Sequence, residues 1–355
     1  MSEPNRDLAS CLCRTCVDLC SAENQRQALD TLVAGCTRVM SAKGCALRLL
    51  DEKREILELG ASYGLSEKYL SKGPVELAKA PLDADVIHGE VVDIEDVSKE
   101  KRILYPEDSA REGIRSMLCV PLRVKDRIIG VLRVYRSEPH ESTADEISTA
   151  LTLAAQGGNI LEKFRLREER EALAEVAQAI SSSLDVGTVL KSIVRCTAET
   201  LHFKGASVRL LDEEGKGLVM NATHGLSGAY VEKGPVEVEK SPLDREILSG
   251  KPVRVMEDEM DAKLQYPEET RREGIRSMFG LPLQIKGKPV GVLRVYASVP
   301  YRFTVDDEEF LTALANQGAI AIENARLFQQ LRKTYEDLTQ DVWKWYDWGK
   351  RPPRL

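Results

Sequence analysis

The sequence lacks the features that place a protein in or across a membrane. It has no run of about 18 uninterrupted apolar residues, the minimum for a membrane-spanning helix. Its first residues, MSEPNRD, also lack the basic start and apolar run of a secretory signal. We therefore expect a cytoplasmic protein without membrane insertion.

An excess of positive charge is also absent. Against 50 Lys and Arg residues stand 57 Asp and Glu residues, which gives a net charge of −7, and no dense basic run occurs. Nucleic acids and anionic membrane surfaces are bound by clustered basic residues. We therefore expect no nucleic-acid partner.

The motifs of common catalytic sites are missing as well. The sequence contains no Gly-x-x-x-x-Gly-Lys-Ser/Thr phosphate loop, no His-Glu-x-x-His pair, no serine nucleophile elbow and no kinase motif. None of the four histidines forms a helical ligand pair with another. The sequence predicts a protein that is not an enzyme, and it assigns no metal and no particular cofactor.

What the sequence does contain is an internal duplication. Residues 44–135 align with residues 205–296 at a constant offset of 161, with 42 identities in 92 positions. This period is far longer than the roughly 20 to 50 residues of a solenoid repeat, so each copy is predicted to be a globular domain. Between the copies, apolar residues recur every three or four positions from Thr143 to Leu184. This pattern predicts one long amphipathic helix, or two joined end to end.

Within each copy, helices are predicted to flank a set of strands. Two helical segments over residues 8–42 correspond to residues 169–203, and strand-like segments follow at 46–50 and 56–61. A Pro-Leu-Asp sequence then opens a short helix that a glycine ends. Two further strands, joined by a tight turn, close the copy and indicate an antiparallel sheet.

Several motifs resemble one known family. Gly-Ile-Arg-Ser-Met-x-x-x-Pro-Leu and Gly-Val-Leu-Arg-Val-Tyr occur in both copies, and Phe303 to Leu311 and Ala315 to Ala325 complete the pattern in the second. Together they resemble the GAF domain over about residues 20–165 and 180–330. The resemblance implies an α/β (α+β) fold with two domains, each a central antiparallel sheet of about six strands flanked by helices, joined by a long connecting helix. We assign an N-terminal Cys-rich helix (1–20), two GAF-like domains (21–165 and 166–335) and a Trp-rich tail (336–355).

Both copies share charged and aromatic strand residues that are candidate ligand-binding groups. Alternation along a strand places Arg48 and Arg133 on the same faces as apolar neighbours, and arginines that converge on one pocket bind a carboxylate or phosphate in two-point fashion. The alternative is that the arginines pair with Glu112 and Glu273 or lie on an exposed sheet edge. The candidates are Arg48, Arg115, Arg133, Tyr105, Tyr135, Arg209, Arg276, Arg294, Tyr266 and Tyr296.

The eight cysteines are expected to be thiols or metal ligands, because disulfides are rare in a reducing compartment. Four of them, the weak candidates for a metal or redox site, lie close together near the N-terminus: Cys11, Cys13, Cys16 and Cys20. Zinc ligands usually form close pairs on turns, and in the second copy the equivalent positions hold alanine or serine. Packing of small side chains is therefore the favoured interpretation, with a redox or metal role as the alternative.

Aromatic residues make up only 5% of the chain, yet all three tryptophans lie within six residues. Such clusters are typical of interface hot spots. The cluster either folds back on the second domain or its dimer mate, or binds a partner; it consists of Trp343, Trp345, Tyr346 and Trp348.

By resemblance, we predict a homodimeric sensor with helical pairing. A domain senses a small ligand, for which an anion is a candidate, or a redox state, and helices relay the change to a protein partner that the sequence does not identify. One alternative is a structural adaptor whose domains bind no ligand. A weaker alternative is a thiol-dependent reductase that uses the first copy.

Overall fold

The chain folds into two compact units, residues 1–167 and 168–355. The structure, a computed structural model, describes residues 3–51, 55–125, 127–183 and 185–349, with the side chains of those between 10 and 340. Each unit contains a six-stranded antiparallel sheet flanked by helices. The predicted fold class is confirmed.

The first unit starts with two helices and continues with alternating strands and short helices. Its strands are β1 (Gly44–Leu50), β2 (Ile56–Tyr63), β3 (Val75–Glu76), β4 (Val92–Ile94), β5 (Ser116–Val124) and β6 (Arg127–Arg136), in the sheet order β3-β2-β1-β6-β5-β4. Its helices are α1 (Glu3–Cys20), α2 (Gln25–Val39), α3 (Glu67–Leu70), α4 (Pro81–Ile87) and α5 (Pro106–Arg111).

A single helix, α6 (Ala144–Ser182), follows the first sheet. Of the two alternatives for the connecting segment, the continuous helix is therefore correct. Near its start α6 contributes Ala150 and Leu153 to the hydrophobic core of the first unit. Near its end it contributes Ala172 and Val176 to the core of the second.

The second unit repeats the order of the first. Its strands are β7 (Gly205–Leu211), β8 (Gly217–His224), β9 (Val236–Glu237), β10 (Val253–Met256), β11 (Ser277–Ile285) and β12 (Lys288–Ala297), in the order β9-β8-β7-β12-β11-β10. Its helices are α7 (Val186–Thr200), α8 (Gly228–Val231), α9 (Pro242–Leu248), α10 (Met260–Lys263), α11 (Pro267–Arg272) and α12 (Val305–Gly349). None of the described helices has the length and apolar composition needed to cross a bilayer.

Local signals explain where several elements start and stop. Asn24 caps α2 by accepting a 2.9 Å hydrogen bond from the backbone N–H of Gln27. Asp185 caps α7 by accepting from the N–H groups of Gly187 and Thr188. Proline occupies the first position of α4 and α9, as the sequence predicted.

Each sheet separates two hydrophobic cores. In the first unit, Cys45 and Leu47 of β1 face a core that is closed by α2 and α6. Ala46 faces the other core, together with Val131 of β6 and the short helices. The side chains of this second face, which lies under α3, α4 and α5, form the candidate site.

Candidate functional site

Two buried arginines lie on the second face of each sheet. Arg48 and Arg133 lie two residues after Ala46 and Val131 on their strands and so share a face with them, and antiparallel pairing sets Arg48 opposite Val131. Gly130 lets the strands approach, because an added Cβ there would meet the Arg48 carbonyl oxygen at 2.2 Å. The equivalent arginines of the second unit are Arg209 and Arg294.

One arginine of each pair has a carboxylate partner. Arg133 donates a hydrogen bond to Asp83 of α4, and Arg294 donates one to Asp244 of α9. Arg294 and Asp244 are 3% and 0% exposed as side chains, so the second pair is fully removed from water. Because such burial removes the solvation of both charges, each partner depends on the other for compensation.

The other arginine differs between the two units. Nη1 of Arg48 donates to the carbonyl oxygens of Leu57 and Gly73, at 3.1 and 3.4 Å. Arg209 is 0% exposed, and within the described residues none of its three guanidinium nitrogens has a hydrogen-bond partner. Burial, followed by the nearby charge of Arg294, lowers the pKa of Arg209. An unpaired buried guanidinium is costly, and it is suited to bind an anion.

Two tyrosines and a lysine complete the cluster. The rings of Tyr69 and Tyr135 meet edge to face with centroids 5.9 Å apart, and Nζ of Lys72 lies 3.1 Å from the Tyr69 centroid. The second unit repeats this geometry closely, with 5.8 Å and 3.1 Å for the equivalent distances. We call these clusters the arginine pockets: Arg48, Tyr69, Lys72, Asp83, Arg133 and Tyr135, and Arg209, Tyr230, Lys233, Asp244, Arg294 and Tyr296.

Each arginine pocket holds three basic side chains and one buried carboxylate. Burial, followed by repulsion from Arg133 and Arg48, lowers the pKa of Lys72 to about 7. Burial, followed by repulsion from Arg209 and Arg294, lowers the pKa of Lys233 to about 6. The depressed pKa values follow from an excess of positive charge in a poorly solvated place.

The depressed pKa of Lys233 predicts a pH dependence of stability. Between pH 6 and 10.5 the unfolded chain binds more protons than the folded chain at this residue, so stability should rise with pH across that window. The variant Lys233→Met should lose this part of the rise, whereas Lys216→Met, at an exposed position, should keep it. Urea midpoints at pH 6.5 and pH 9 measure the difference. An equal rise of the midpoint between these pH values in wild type and Lys233→Met would contradict the prediction.

A cavity opens into the first arginine pocket. Its volume is about 40 Å³, which is large enough to hold ordered water. Its lining includes Lys72, Asp83 and Arg133 from the pocket, together with Tyr105 and Cys119. Burial raises the pKa of Cys119 to about 12, so its thiol is protonated at neutral pH.

The structure brings together most of the ligand-binding candidates but not all of them. Arg48, Arg133 and Tyr135 belong to the first pocket, and Tyr105 lines its cavity. The equivalent Tyr266 lies above the second pocket, where its hydroxyl donates to the Pro235 carbonyl oxygen at 3.2 Å.

Arg115 and Arg276 lie outside the arginine pockets. Their side chains are 50% and 46% exposed, and they pair with Asp96 and Glu257. The predicted alternative partners, Glu112 and Glu273, instead accept hydrogen bonds from Ser66 and Ser227. Neither exposed arginine therefore joins the convergent set that the sequence analysis proposed.

Sequence reasoning missed three members of each pocket, namely its lysine, one tyrosine and the aspartate. A signal was available, because Tyr69, Lys72 and Asp83 are identical to their counterparts 161 positions later. They lie in irregular segments and short helices, where hydrophobic periodicity does not indicate which way a side chain points.

The N-terminal cysteines lie along α1, where Cys13 and Cys20 are exposed and Cys11 and Cys16 are partly buried. In the part of the chain that the structure describes, no group of three potential ligands could hold a metal ion. Trp343, Trp345, Tyr346 and Trp348 fall in the last turns of α12, and their side chains lie outside the described residues.

Comparison with known proteins follows the duplication. The family model described as GAF domain matches residues 22–162 and 183–323. A curated relative, the formate hydrogenlyase transcriptional activator of Salmonella typhimurium (strain SL1344), is 21% identical over 257 residues, which cover 67% of this chain and 36% of that protein. The chain thus matches only about a third of the length of this relative.

Similar solved structures each match about one half of the chain. The GAF domain of an Acinetobacter phosphoenolpyruvate-protein phosphotransferase is 26% identical, with a TM-score of 0.39, and the match covers 46% of this chain and 95% of that one. The free methionine-R-sulfoxide reductase of Neisseria meningitidis is 19% identical, with a TM-score of 0.39, and the match covers 45% of this chain and 90% of that one.

Proposed function

This chain belongs to the GAF domain family, a family of sensory and regulatory domains, and from that premise we propose that its arginine pockets bind a small anionic ligand and regulate a partner protein. The single observation that carries the proposal is Arg209. A fully buried guanidinium with no hydrogen-bond partner among the described residues is what an anion site presents before its ligand arrives.

The composition of the pocket defines the class of ligand. Arg294 and Asp244 neutralise each other, which leaves the charge of Arg209 to meet a negative group. A planar guanidinium matches a carboxylate or phosphate group with two parallel hydrogen bonds. The rings of Tyr230 and Tyr296, which meet edge to face, lie near it. A compact metabolite with one such group fits these surroundings.

The route from the pocket to an output runs through helices. Helix α6 packs its early residues, including Leu153, in the core of the first domain and its late residues, including Val176, in that of the second. A ligand that prefers one arrangement of a domain changes the position or the stability of α6 only through its differential affinity for the two arrangements. We propose that this bias is the signal.

The last helix offers a surface for the output. Leu331, Tyr335 and Leu338 of α12 are 68%, 71% and 66% exposed, and their four- and three-residue spacing puts them on one side of the helix. Exposed apolar stripes of this kind favour pairing with another helix. We propose a homodimer that pairs along this stripe, with the tryptophan cluster as a further contact to a partner.

A reductase function draws less support. The cysteine that lines the cavity of the first pocket, Cys119, has its pKa raised to about 12 by burial, and a protonated thiol is a poor nucleophile. If neither pocket binds a ligand, the expected function is that of a structural adaptor. A sensor that performs no catalysis is therefore the function we propose.

Native mass spectrometry of the purified full chain tests the proposal. We expect the dimer mass under mild conditions, with a bound small molecule that is lost on denaturation or that can be loaded by adding pyruvate, malonate or phosphate. The rate of backbone hydrogen exchange in α6 should change when that anion is added. A chain that takes up no anion at all would support the adaptor instead.

A further inference from the structure

Lys72 and Lys233 occupy an unusual environment for lysine. Neither has a carboxylate within 4.0 Å among the described residues, although the chain pairs many of its exposed lysines in this way. Each holds its amine against a tyrosine ring, with Nζ 3.1 Å from the centroid. Within the described residues, a cation–π contact therefore takes the place of an ion pair at both lysines.

The net effect of the groups around each amine is to favour its neutral form. Burial, Arg133 and Arg48 lower the pKa of Lys72. Asp108 and Glu112 near α5 oppose this shift with smaller effect, and the faces of Tyr69 and Tyr105 also attract the ammonium form. For Lys233 the corresponding groups are Arg209, Arg294, Tyr230, Tyr266, Glu269 and Glu273. With the pKa lowered to about 7 and about 6 by burial and then by the arginines, a large fraction of each amine is unprotonated near neutral pH. Desolvation and a neighbouring cation are the two devices that activate lysine as a nucleophile.

We propose that Lys72 and Lys233 form a reversible imine with a small acid that carries both a carboxylate and a carbonyl group. In this step the amine lone pair attacks the carbonyl carbon. The nitrogen loses two protons as the C=N bond forms, and the carbonyl oxygen leaves with them as water. No oxidant or reductant is required, and addition of water reverses the reaction.

In the second domain, the carboxylate of the same ligand accounts for the unpaired Arg209. Arg209 has no hydrogen-bond partner among the described residues and is therefore available to bind the carboxylate. Arg209 and Arg294 are both close enough to Lys233 to lower its pKa, so the nucleophile and the anion-binding group share one pocket. A ligand held at both ends would be distinguished from simple carboxylates, which lack the carbonyl, and from simple aldehydes, which lack the charge. This inference rests on the proposed function and names the ligand class for the same site.

Reductive trapping tests the imine. The full chain is incubated at pH 8 with glyoxylate and sodium cyanoborohydride, which reduces an imine to a stable secondary amine, and the modified lysines are located by peptide mass spectrometry. Because each unit of pKa changes the free-amine fraction about tenfold, labelling at Lys72 and Lys233 should exceed that at the exposed Lys216 and Lys288 by at least about tenfold. Acetaldehyde, which has no carboxylate, should show a much smaller preference.

Matched variants separate this reaction from general reactivity. Arg209→Met should reduce labelling at Lys233 and leave Lys72 unchanged, so the first domain serves as an internal control; Lys233→Arg should remove the label from the second domain. Uniform labelling of all lysines, or a preference that acetaldehyde reproduces fully, would overturn the imine. If acetate and glyoxylate both stabilise the wild type but trapping fails, the imine is wrong and the anion site stands. If no anion stabilises the protein either, both proposals fail.

Discussion

Replacing Asp244 with asparagine is expected to lower the free energy of unfolding of the second domain by about 3 to 5 kcal/mol, the usual cost of breaking a buried ion pair from one side. Asp244 is 0% exposed and accepts hydrogen bonds from Arg294 and Ser241. Without its charge, Arg294 remains buried beside Arg209 and has lost the carboxylate that is paired with it. Hydrogen exchange of β7 and β12 in rising urea measures the effect in that domain alone.

Two controls define this prediction. Asp83→Asn should produce the same loss in the first domain and leave β7 and β12 unchanged, because it breaks the equivalent pair with Arg133. The double variant Asp244→Leu/Arg294→Met should recover most of the stability, since it removes both charges together. A loss below about 1 kcal/mol in Asp244→Asn, the size typical of an exposed pair, would show that the pair is solvated in the protein.

The variant Arg209→Met is expected to stabilise the ligand-free second domain by at least about 1 kcal/mol, because it replaces an unpaired buried charge with an apolar side chain of similar length. The same variant should lose the ability of the domain to bind an anion. A gain in stability together with a loss of function is the expected mark of a site that holds a costly group for its ligand.

The first domain supplies a control with the opposite sign. Nη1 of Arg48 is bonded to the carbonyl oxygens of Leu57 and Gly73. Arg48→Met leaves those oxygens without this donor, and we expect destabilisation of about 1 to 3 kcal/mol. Thermal and urea unfolding of the two variants should therefore move in opposite directions. Destabilisation by both would mean that Arg209 has a structural partner.

The fold could be predicted from the sequence because its signals are local and occur twice. Helical periodicity, proline at the starts of α4 and α9, and two strands joined by a tight turn each reflect backbone chemistry within a few residues. Strand alternation also placed Arg48 and Arg133 correctly on one face of the sheet. The continuity of α6 stayed open, because apolar spacing alone does not distinguish one helix from two in line.

The composition of the pocket was less accessible. The contact between Asp83 and Arg133 joins residues 50 positions apart, and no periodic pattern indicates which segment covers a sheet. Arg115 and Arg276 lie outside the arginine pockets; they precede β5 and β11, where alternation does not yet fix the direction of a side chain. Identity between the two copies at Lys72 and Asp83 was the signal that could have corrected the set.

The most direct test of the account is anion-dependent stabilisation of the full chain. A ligand at about 100 times its dissociation constant adds roughly 2.7 kcal/mol to the stability of the state that binds it. Pyruvate, malonate, acetate and phosphate are added in turn. We expect at least one of these anions to raise the unfolding temperature of the second domain in wild type and in the control Arg276→Ala, whose substitution is at an exposed side chain. The same anion should not raise the unfolding temperature of Arg209→Met. An equal shift in wild type and Arg209→Met, or no shift with any of the four anions, would contradict the claim that the buried arginine is an anion site.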